Sequence, residues 1–436
     1  MNSWQTISLK EIVISIKGKK PKILLEEQQN GTVPYLDILA FEKGQIRQYA
    51  DISSSKISEK KDILIVWDGA RCGLVGMGYS GAIGSTIAVL RPILLESQYL
   101  FYFLQTQYKY INSNPRGSGI PHLDPDILLG IEVPLPPLNE QHRIVAKLEQ
   151  LLSKVQSCQE RLDRIPKILK RFRQSVLAAA CSGRLTEDWR EQNPDVEWEN
   201  TILQNVIYEK LRNGYSPKPV KYTTNLKVIT LTATTSGKFS DCFFKYINDE
   251  IDQNSYLWIK NGDILIQRGN SLEHVGISAI YEGCSDQFIY PDLMIKVVAD
   301  KMKILNKFLY YILSSFKIRQ YFRENATGTA GNMPKINQSV LLNTPIPLPP
   351  LAEQQEIVHR VESLFHLADQ VEQKYNKAKA YVDQLTQSIL AKAFRGELVP
   401  QDPNDEPAEV LLERIRKEKA SQDKAAGKKR SRKLEG

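Results

Sequence analysis

A block of sixteen residues occurs twice in this chain. Pro134-Leu-Pro-Pro-Leu-Asn-Glu-Gln-His-Arg-Ile-Val-Ala-Lys-Leu-Glu149 returns as Pro347-Leu-Pro-Pro-Leu-Ala-Glu-Gln-Gln-Glu-Ile-Val-His-Arg-Val-Glu362, with ten of sixteen positions identical at an offset of 213. Gln174-Ser-Val-Leu-Ala-Ala-Ala-Cys-Ser-Gly-Arg-Leu185 returns as Gln387-Ser-Ile-Leu-Ala-Lys-Ala-Phe-Arg-Gly-Glu-Leu398 at the same offset. No residue is gained or lost between the two blocks, so the segment joining them is constrained in length. Upstream the echo is fainter and the offset drifts. Trp4 and Leu9 answer to Trp198 and Leu203, Asp62-Ile-Leu-Ile65 to Asp263-Ile-Leu-Ile266, and Leu100-Phe-Tyr-Phe-Leu104 to Leu309-Tyr-Tyr-Ile-Leu313. A growing offset means that the second copy carries insertions, which belong in loops. The order is variable domain, constant segment, variable domain, constant segment.

The constant segments read as coiled-coil helices. Ile144, Leu148, Leu151, Val155, Cys158, Leu162, Ile165, Leu169, Phe172 and Val176 follow a 4-3-4-3 spacing without a polar member. Adding 213 gives Ile357, Val361, Leu364, Ala368, Val371, Tyr375, Ala378, Val382, Leu385 and Ile389, again all apolar. A sustained period of 3.5 residues is the signature of a supercoiled seam. The proline runs stop what precedes them, the helices begin at Asn139/Glu140 and Ala352/Glu353, and Gly183 and Gly396 stand where helix-ending glycines belong. The core of each seam covers 33 residues, about 50 Å of helix. Pro166, where the second copy has Lys379, predicts a local bend. Cys158 and Cys181 read as small buried apolar residues. Two matched seams in one chain most simply pack on each other; the other reading is two amphipathic helices, each serving its own domain.

The variable stretches, 1–133 and 198–346, show short apolar alternations broken by Gly, Asn and Pro, such as Asp62-Ile-Leu-Ile-Val-Trp67 and Tyr256-Leu-Trp-Ile259. Helical patches fall near Gln98–Tyr110 and Lys307–Arg323. One compact mixed α/β domain, used twice, is the expectation. The net charge of +8 and pI near 9.0 favour a polyanionic partner. Basic and amide-rich loops are then the candidate DNA contacts. Lys17, Lys19, Lys20 and Lys22 in one loop, and Lys218 and Lys221 in another, resemble phosphate clamps. Arg71 and the turn Gln267-Arg268-Gly269-Asn270 follow the paired strands and carry side chains suited to base edges, Arg268 to guanine, Gln267 and Asn270 to adenine. The loops Arg116-Gly-Ser118-Gly-Ile-Pro-His122 and Thr327-Gly-Thr-Ala-Gly-Asn332-Met-Pro-Lys335 combine pliable backbone with donors. A duplicated reader suits two half-sites of duplex DNA.

Enzyme motifs are scarce. Gly76-Met-Gly-Tyr-Ser-Gly81 formally fits a dinucleotide fingerprint, but a strand-like stretch follows it instead of a helix. There is no phosphate-binding Gly-x-x-x-x-Gly-Lys-Ser/Thr loop, and no Asn/Asp-Pro-Pro-Tyr/Phe motif of the kind amino-methyltransferases place around a flipped adenine. The five histidines and five cysteines make no metal pattern, and odd cysteines without Cys-x-x-Cys fit a reducing cytoplasm. No apolar run approaches the ~20 residues that span a bilayer, and the N-terminus has no signal pattern. After Pro403 the chain predicts a capped short helix and a disordered basic tail containing Lys424 and Lys428.

With the Pro-Leu-Pro-Pro-Leu-x-Glu-Gln openings at 134–141 and 347–354, the Gln-Ser-x-Leu-Ala-x-Ala-x-x-Gly-x-Leu helix ends, the Asp-Ile-Leu-Ile strands and the Glu406-Pro-Ala-Glu-Val-Leu-Leu-Glu-Arg-Ile-Arg416 segment, the chain resembles the specificity subunits of type I restriction-modification enzymes along 1–420. The resemblance implies an α+β fold in which two target-recognition domains (1–133 and 198–346) are separated by a long antiparallel two-helix coiled coil built from spacers 134–197 and 347–402, with 403–436 as a short helix and basic tail. It implies no catalytic centre, metal or cofactor in this chain. S-adenosylmethionine and ATP with magnesium belong to partners: two methyltransferase subunits and, in the full complex, restriction subunits. Two other classes stay open here, a DNA-binding regulator or architectural protein without methyltransferase partners, and an enzyme whose centre is too divergent to see.

Overall fold

The computed structural model describes residues 4–117, 119–328 and 333–434, the last with backbone alone at 423 and 425–434. The chain forms two units, one of residues 1–162 with 378–436, the other of residues 163–377.

Both units are built on the same four-stranded antiparallel sheet. In the first the order is Val13–Lys17, Ile87–Pro92, Ile63–Val66, Val75–Met77; in the second it is Arg212–Asn213, Met294–Val297, Ile264–Gln267, Ser278–Ile280. The repeated Asp-Ile-Leu-Ile string supplies the start of an inner strand in each, and its apolar run is buried on both faces because core clusters lie on either side of it. Its aspartate ends the preceding turn. Asp62 accepts the amide of Glu59 at 2.9 Å and a bidentate Arg91, both bonds 2.7 Å; Asp263 accepts the amide of Lys260 at 2.8 Å and faces the Lys296 ammonium at 3.5 Å. A second antiparallel pair ties each domain's beginning to its end, Gln5–Ser8 with Glu132–Leu135 and Glu199–Ile202 with Pro345–Leu348.

The insertions differ. The first unit adds a five-stranded sheet containing the parallel pair Tyr35↔Ala82, while the second adds the ribbon Leu226–Ile229 with Phe244–Ile247. Tyr256–Ile259, read as strand from its alternation, is instead a turn with a single bridge from Trp258 to Ile289. Its apolar side chains enter the core from irregular backbone: Leu257 and Ile259 are buried. The helix Ser97–Ser113 matches its sequence patch, but the patch near 307–323 is two helices, Asn306–Ser314 and Phe316–Glu324. They are split at Ser315, whose extended backbone caps the second. Glycines 76 to 81 lie on two strands and the turn between them.

The spacers are helical as their period predicts, with one real interruption. The first is Leu138–Leu162 followed by Ile165–Cys181, separated by a turn at Asp163 and Arg164; the second is one continuous helix, Leu351–Phe394. Pro166 sits in the first turn of the shorter helix. It has no amide to give the Leu162 carbonyl, so the helical hydrogen-bond ladder is interrupted there although Arg164 keeps a helical φ of −81° and ψ of −26°. Gly183 and Gly396 follow the helix ends with φ of 77° and 75°, a left-handed conformation suited to glycine.

Packing within each unit is antiparallel. In the first, Ile144, Leu148 and Val155 share a core cluster with Ile389, Leu390 and Ala393, flanked by Leu151, Val382 and Leu385. In the second, Phe172 and Val176 cluster with Ile357, Val361 and Leu364. Leu169 and Ala368 are also buried, whereas Leu162, Ile165 and Tyr375 are half-buried and Val371 is 38% exposed. The expected seam position at Val371 therefore does not hold, since the break at Asp163–Arg164 interrupts the regular stacking. Cys158 is exposed, contrary to its expected burial, and Cys181 is half-buried with its thiol pushed up to about 12 by burial. The tail is no coil: Ala408–Leu434 is a helix, because Leu411 and Ile415 bury against Ile7, Leu9 and Ile12 of the first unit and carry the backbone onward.

Candidate nucleic-acid interface

In each unit the loops singled out from sequence are stitched to the exit of the inner strand. In the first, Asp68 and Arg116 both bridge to His122: the Arg116 amide donates to the His122 carbonyl at 2.8 Å, and His122 Nδ1 lies 2.7 Å from Asp68 Oδ1. In the second, Gly269 and Thr327 both bridge to Lys335, with Thr327 and Lys335 exchanging amide–carbonyl bonds of 2.8 and 2.9 Å. The clasps are equivalent, since Asp68 and Gly269 each lie six residues beyond the repeated aspartate. Arg116, His122, Thr327 and Lys335 are exposed on them. Ser118 and Asn332 lie outside the described residues.

The lysine loops start from an edge strand of the same sheet. Lys17, the last residue of its strand, is exposed with its ammonium 5.1 Å from the centre of the Trp67 ring. Next comes Gly18, where an added Cβ would lie 2.1 Å from the Gly84 carbonyl oxygen. The counterpart of Gly18 is Gly214, where a Cβ would lie 2.0 Å from the Tyr290 carbonyl oxygen. After each glycine the chain leaves the sheet in a Gly-x-x-Pro-Lys pattern, Gly18-Lys-Lys-Pro-Lys22 and Gly214-Tyr-Ser-Pro-Lys218. Lys19, Lys20, Lys22, Lys218 and Lys221 are all exposed.

Other candidates fare differently. Arg71 is exposed but paired with Glu42 at 2.8 Å. Gln267 is fully buried and does not face solvent. Its amide donates to Leu231 O and to the Thr234 and Thr235 hydroxyls, and its oxygen accepts from Asn270 at 2.6 Å. The pleat turns it inward, onto a turn supplied by the insertion, so it is a structural residue. Asn270 is held by Gln267 and by the Ser271 amide, while Arg268 is half-buried with an unpartnered Nε. Sequence reasoning also passed over Ile120 and Met333, 67% and 44% exposed, each followed by Pro and the clasp residue. That shared x-Pro-basic ending was the available signal.

The repeated Glu-Gln pair explains how each spacer grips its domain. Glu140 and Glu353 accept the indole N–H of Trp4 and Trp198, at 3.1 and 2.8 Å. Gln141 and Gln354 donate to the carbonyls of Pro136 and Pro349 and accept the amides of Glu96 and Leu305. All four are buried. Among the described residues no cluster of histidine, cysteine and acidic side chains could hold a metal ion, and no helix is long and apolar enough to cross a membrane.

Known proteins place this arrangement. The family model "Type I restriction modification DNA specificity domain" matches twice, over residues 1–167 and 196–380. The specificity subunit of the type I restriction enzyme EcoKI from Escherichia coli (strain K12) is 33% identical over 432 residues, covering 95% of this chain and 91% of that protein. That of EcoDI from Escherichia coli is 32% identical over 462 residues, 99% and 98% of the two chains. In fold, the chain is similar to one solved in work on assembly and conformational transition of the type I R-M system (TM-score 0.67, 20% identity, 90% of this chain and 98% of that one). It is also similar to the HsdS subunit from Thermoanaerobacter tengcongensis (TM-score 0.57, 21% identity, 91% and 97%). With the family domain present twice and full-length relatives a third identical, the chain belongs to the family of type I restriction-modification specificity subunits.

Proposed function

We propose that each unit reads one half of a bipartite duplex site, with the clasp and the lysine loop dividing the work. As a specificity subunit the chain is the sequence-specific, non-catalytic DNA-binding component of a type I restriction-modification complex. The observation that carries the division of labour is the equivalence of the two clasps, Asp68–His122–Arg116 and Gly269–Lys335–Thr327, each on a sheet whose edge strand opens into Gly-x-x-Pro-Lys. Long exposed lysines suit phosphates, and exposed groups on the stitched clasp suit base edges, because only a fixed donor discriminates. The spacer helices dock two methyltransferase subunits and, in the full complex, restriction subunits. S-adenosylmethionine and ATP with magnesium are bound by those partners, in the cytoplasm, and this chain binds none of them.

Exchange of residues 198–346 for the corresponding domain of a relative tests the reading. Together with the cognate methyltransferase subunit, the hybrid should methylate adenine at sites with one half-sequence changed and the other retained. Both halves changing together would refute independent reading, and methyl transfer by the chain alone would refute its non-catalytic role.

A further inference from the structure

The second unit contains a cationic cleft that the DNA-reading loops do not use. It measures about 440 Å³, a volume typical of small-molecule sites. Its lining includes Lys170 and Gln174 from the helix Ile165–Cys181, Thr235, His274, and Arg319 and Arg323 from the helix Phe316–Glu324. Arg319 and Arg323 are one helical turn apart, so their like charges repel. Neither forms an ion pair among the described residues. Arg319 donates only to the carbonyls of Val275 and Glu273, at 2.6 and 3.0 Å, and Arg323 to the Glu273 carbonyl at 3.1 Å. Glu273 is the one carboxylate in the lining, and it offers these guanidiniums its backbone oxygen. The Nε of Arg323 is buried with no partner at all. Lys170, exposed at the rim, makes no ion pair among the described residues either.

A buried guanidinium N–H without an acceptor is costly, and three other guanidiniums of this unit are neutralised. Arg360 meets Asp188 and Glu356, Arg190 meets Glu353, and Arg173 meets Asp369 and Glu372. Against that pattern, two converging arginines with a lysine at the rim form an anion cradle lacking its anion. Burial, and then the charge of Arg323, bring Arg319 down to about 10, as expected where positive charge is crowded without a counter-charge.

We infer that this cleft binds a phosphoryl group, with Arg323 and Arg319 as the fork and Lys170 as the rim cation. Planar guanidiniums match phosphate oxygens in pairs, and His274, whose Nδ1 is engaged by the Ser271 hydroxyl at 2.8 Å, can offer its Nε2 at the wall. The group is either that of a free small phosphate compound or one phosphate of the DNA backbone.

The full chain tests this in two arms, as wild type, Arg323→Gln and Lys170→Gln. In the first, melting is followed in rising sodium phosphate against sodium chloride of equal ionic strength. In the second, the salt dependence of binding to a non-cognate duplex is measured. A free phosphate ligand predicts a saturable, phosphate-specific rise of several degrees in wild type, at least halved in both variants. A backbone phosphate predicts instead a salt slope smaller by about one in both variants. Lys170 is exposed, so its variant keeps the test decisive should Arg323→Gln fold poorly. No phosphate-specific shift, together with wild-type salt slopes in Lys170→Gln, would overturn the inference. The first arm contains no DNA, so its outcome is separate from that of the DNA-reading role.

Discussion

Trp198 donates its indole N–H to Glu353 across 2.8 Å, joining the first residue of a domain's sheet region to the first turn of the helix that follows that domain. Trp4 and Glu140 repeat the bond at 3.1 Å. The two carboxylates differ in what else they meet. Glu353 also accepts from the Thr186 hydroxyl at 2.7 Å and from Arg190 at 2.5 Å, whose guanidinium lies 5.7 Å from the Trp198 ring centre. Glu140 has no such partners, since the positions 213 residues beyond Thr186 and Arg190 are Val399 and Pro403, and its Oε1 is buried without a hydrogen bond. Duplication has thus left one grip neutralised and the other with an unpaired oxygen.

Opposite outcomes are expected from the same substitution at these two sites. Glu353→Gln breaks a buried charge pair and should destabilise the fold by roughly 2–4 kcal/mol. Glu140 is different, because burial raises its carboxyl above the ordinary 4.5, against the opposing Trp4 hydrogen bond. An acid raised on folding binds its proton more tightly in the native state, so the stability it contributes is full at low pH and is lost as pH climbs from about 4.5 through the folded value. Glu140→Gln keeps an acceptor for Trp4 and should flatten that decline, with no loss at pH 7. Urea melts from pH 4 to 8 compare the two, and equal losses at pH 7 would contradict the distinction.

Gly18→Ala and Gly214→Ala should each cost several kcal/mol, large for an alanine substitution. Each Cβ would fall about 2 Å from a carbonyl oxygen, so backbone beside the edge strand must move. Gly78→Ala is a control of another kind: its φ of 93° strains a side chain, but nothing lies within 4 Å, and its cost should be near 1 kcal/mol. Denaturant midpoints rank the three, and a Gly78→Ala loss equal to the others would sink the steric account.

What could be read from the sequence was whatever repeats with a fixed period. The seam was legible because Ile144 to Val176 and Ile357 to Ile389 obey one spacing, and the two domains because Asp62 and Asp263 open the same strand. Gln267 was misjudged because a polar residue ending an apolar strand looks exposed, while the acceptors that bury it, Leu231, Thr234 and Thr235, come from an insertion far off in sequence. Gly18 and Gly214 escaped notice because their offset of 196 belongs to neither neighbouring match. Glu140 and Glu353 were read only as helix starts, since their Trp partners lie 136 and 155 residues away.

Pro166→Lys, which copies the second spacer, should close the break in the first. Restoring an amide at 166 permits its bond to the Leu162 carbonyl, and Arg164, with φ of −81° and ψ of −26°, already has the backbone a continuous helix needs. Hydrogen exchange at residues 163–167 should slow at least tenfold, and stability should rise by about 1–3 kcal/mol. Unchanged exchange there would mean that something other than the proline holds the turn.

Lys22 and Lys218 occupy equivalent places after Gly18 and Gly214, so their substitutions should behave alike. Lys22→Gln and Lys218→Gln should each weaken binding to cognate and scrambled duplexes by the same factor, and lower the salt slope by about one. Residues on the clasps should act otherwise. Arg116→Ala, in the first unit, should lower affinity for the cognate duplex by about 1–3 kcal/mol while leaving scrambled DNA nearly untouched, with the effect confined to one half-site. Lys335→Ala should do the same for the other half-site. The measurement is anisotropy titration, with the methyltransferase partner present, against duplexes altered in one half at a time. A Lys22→Gln loss that depends on sequence would make that lysine a base reader, and a uniform loss for Arg116→Ala would make the clasp a second phosphate clamp. Either result would reverse the roles assigned to the two loops, because only a group whose partner differs between base pairs can change discrimination.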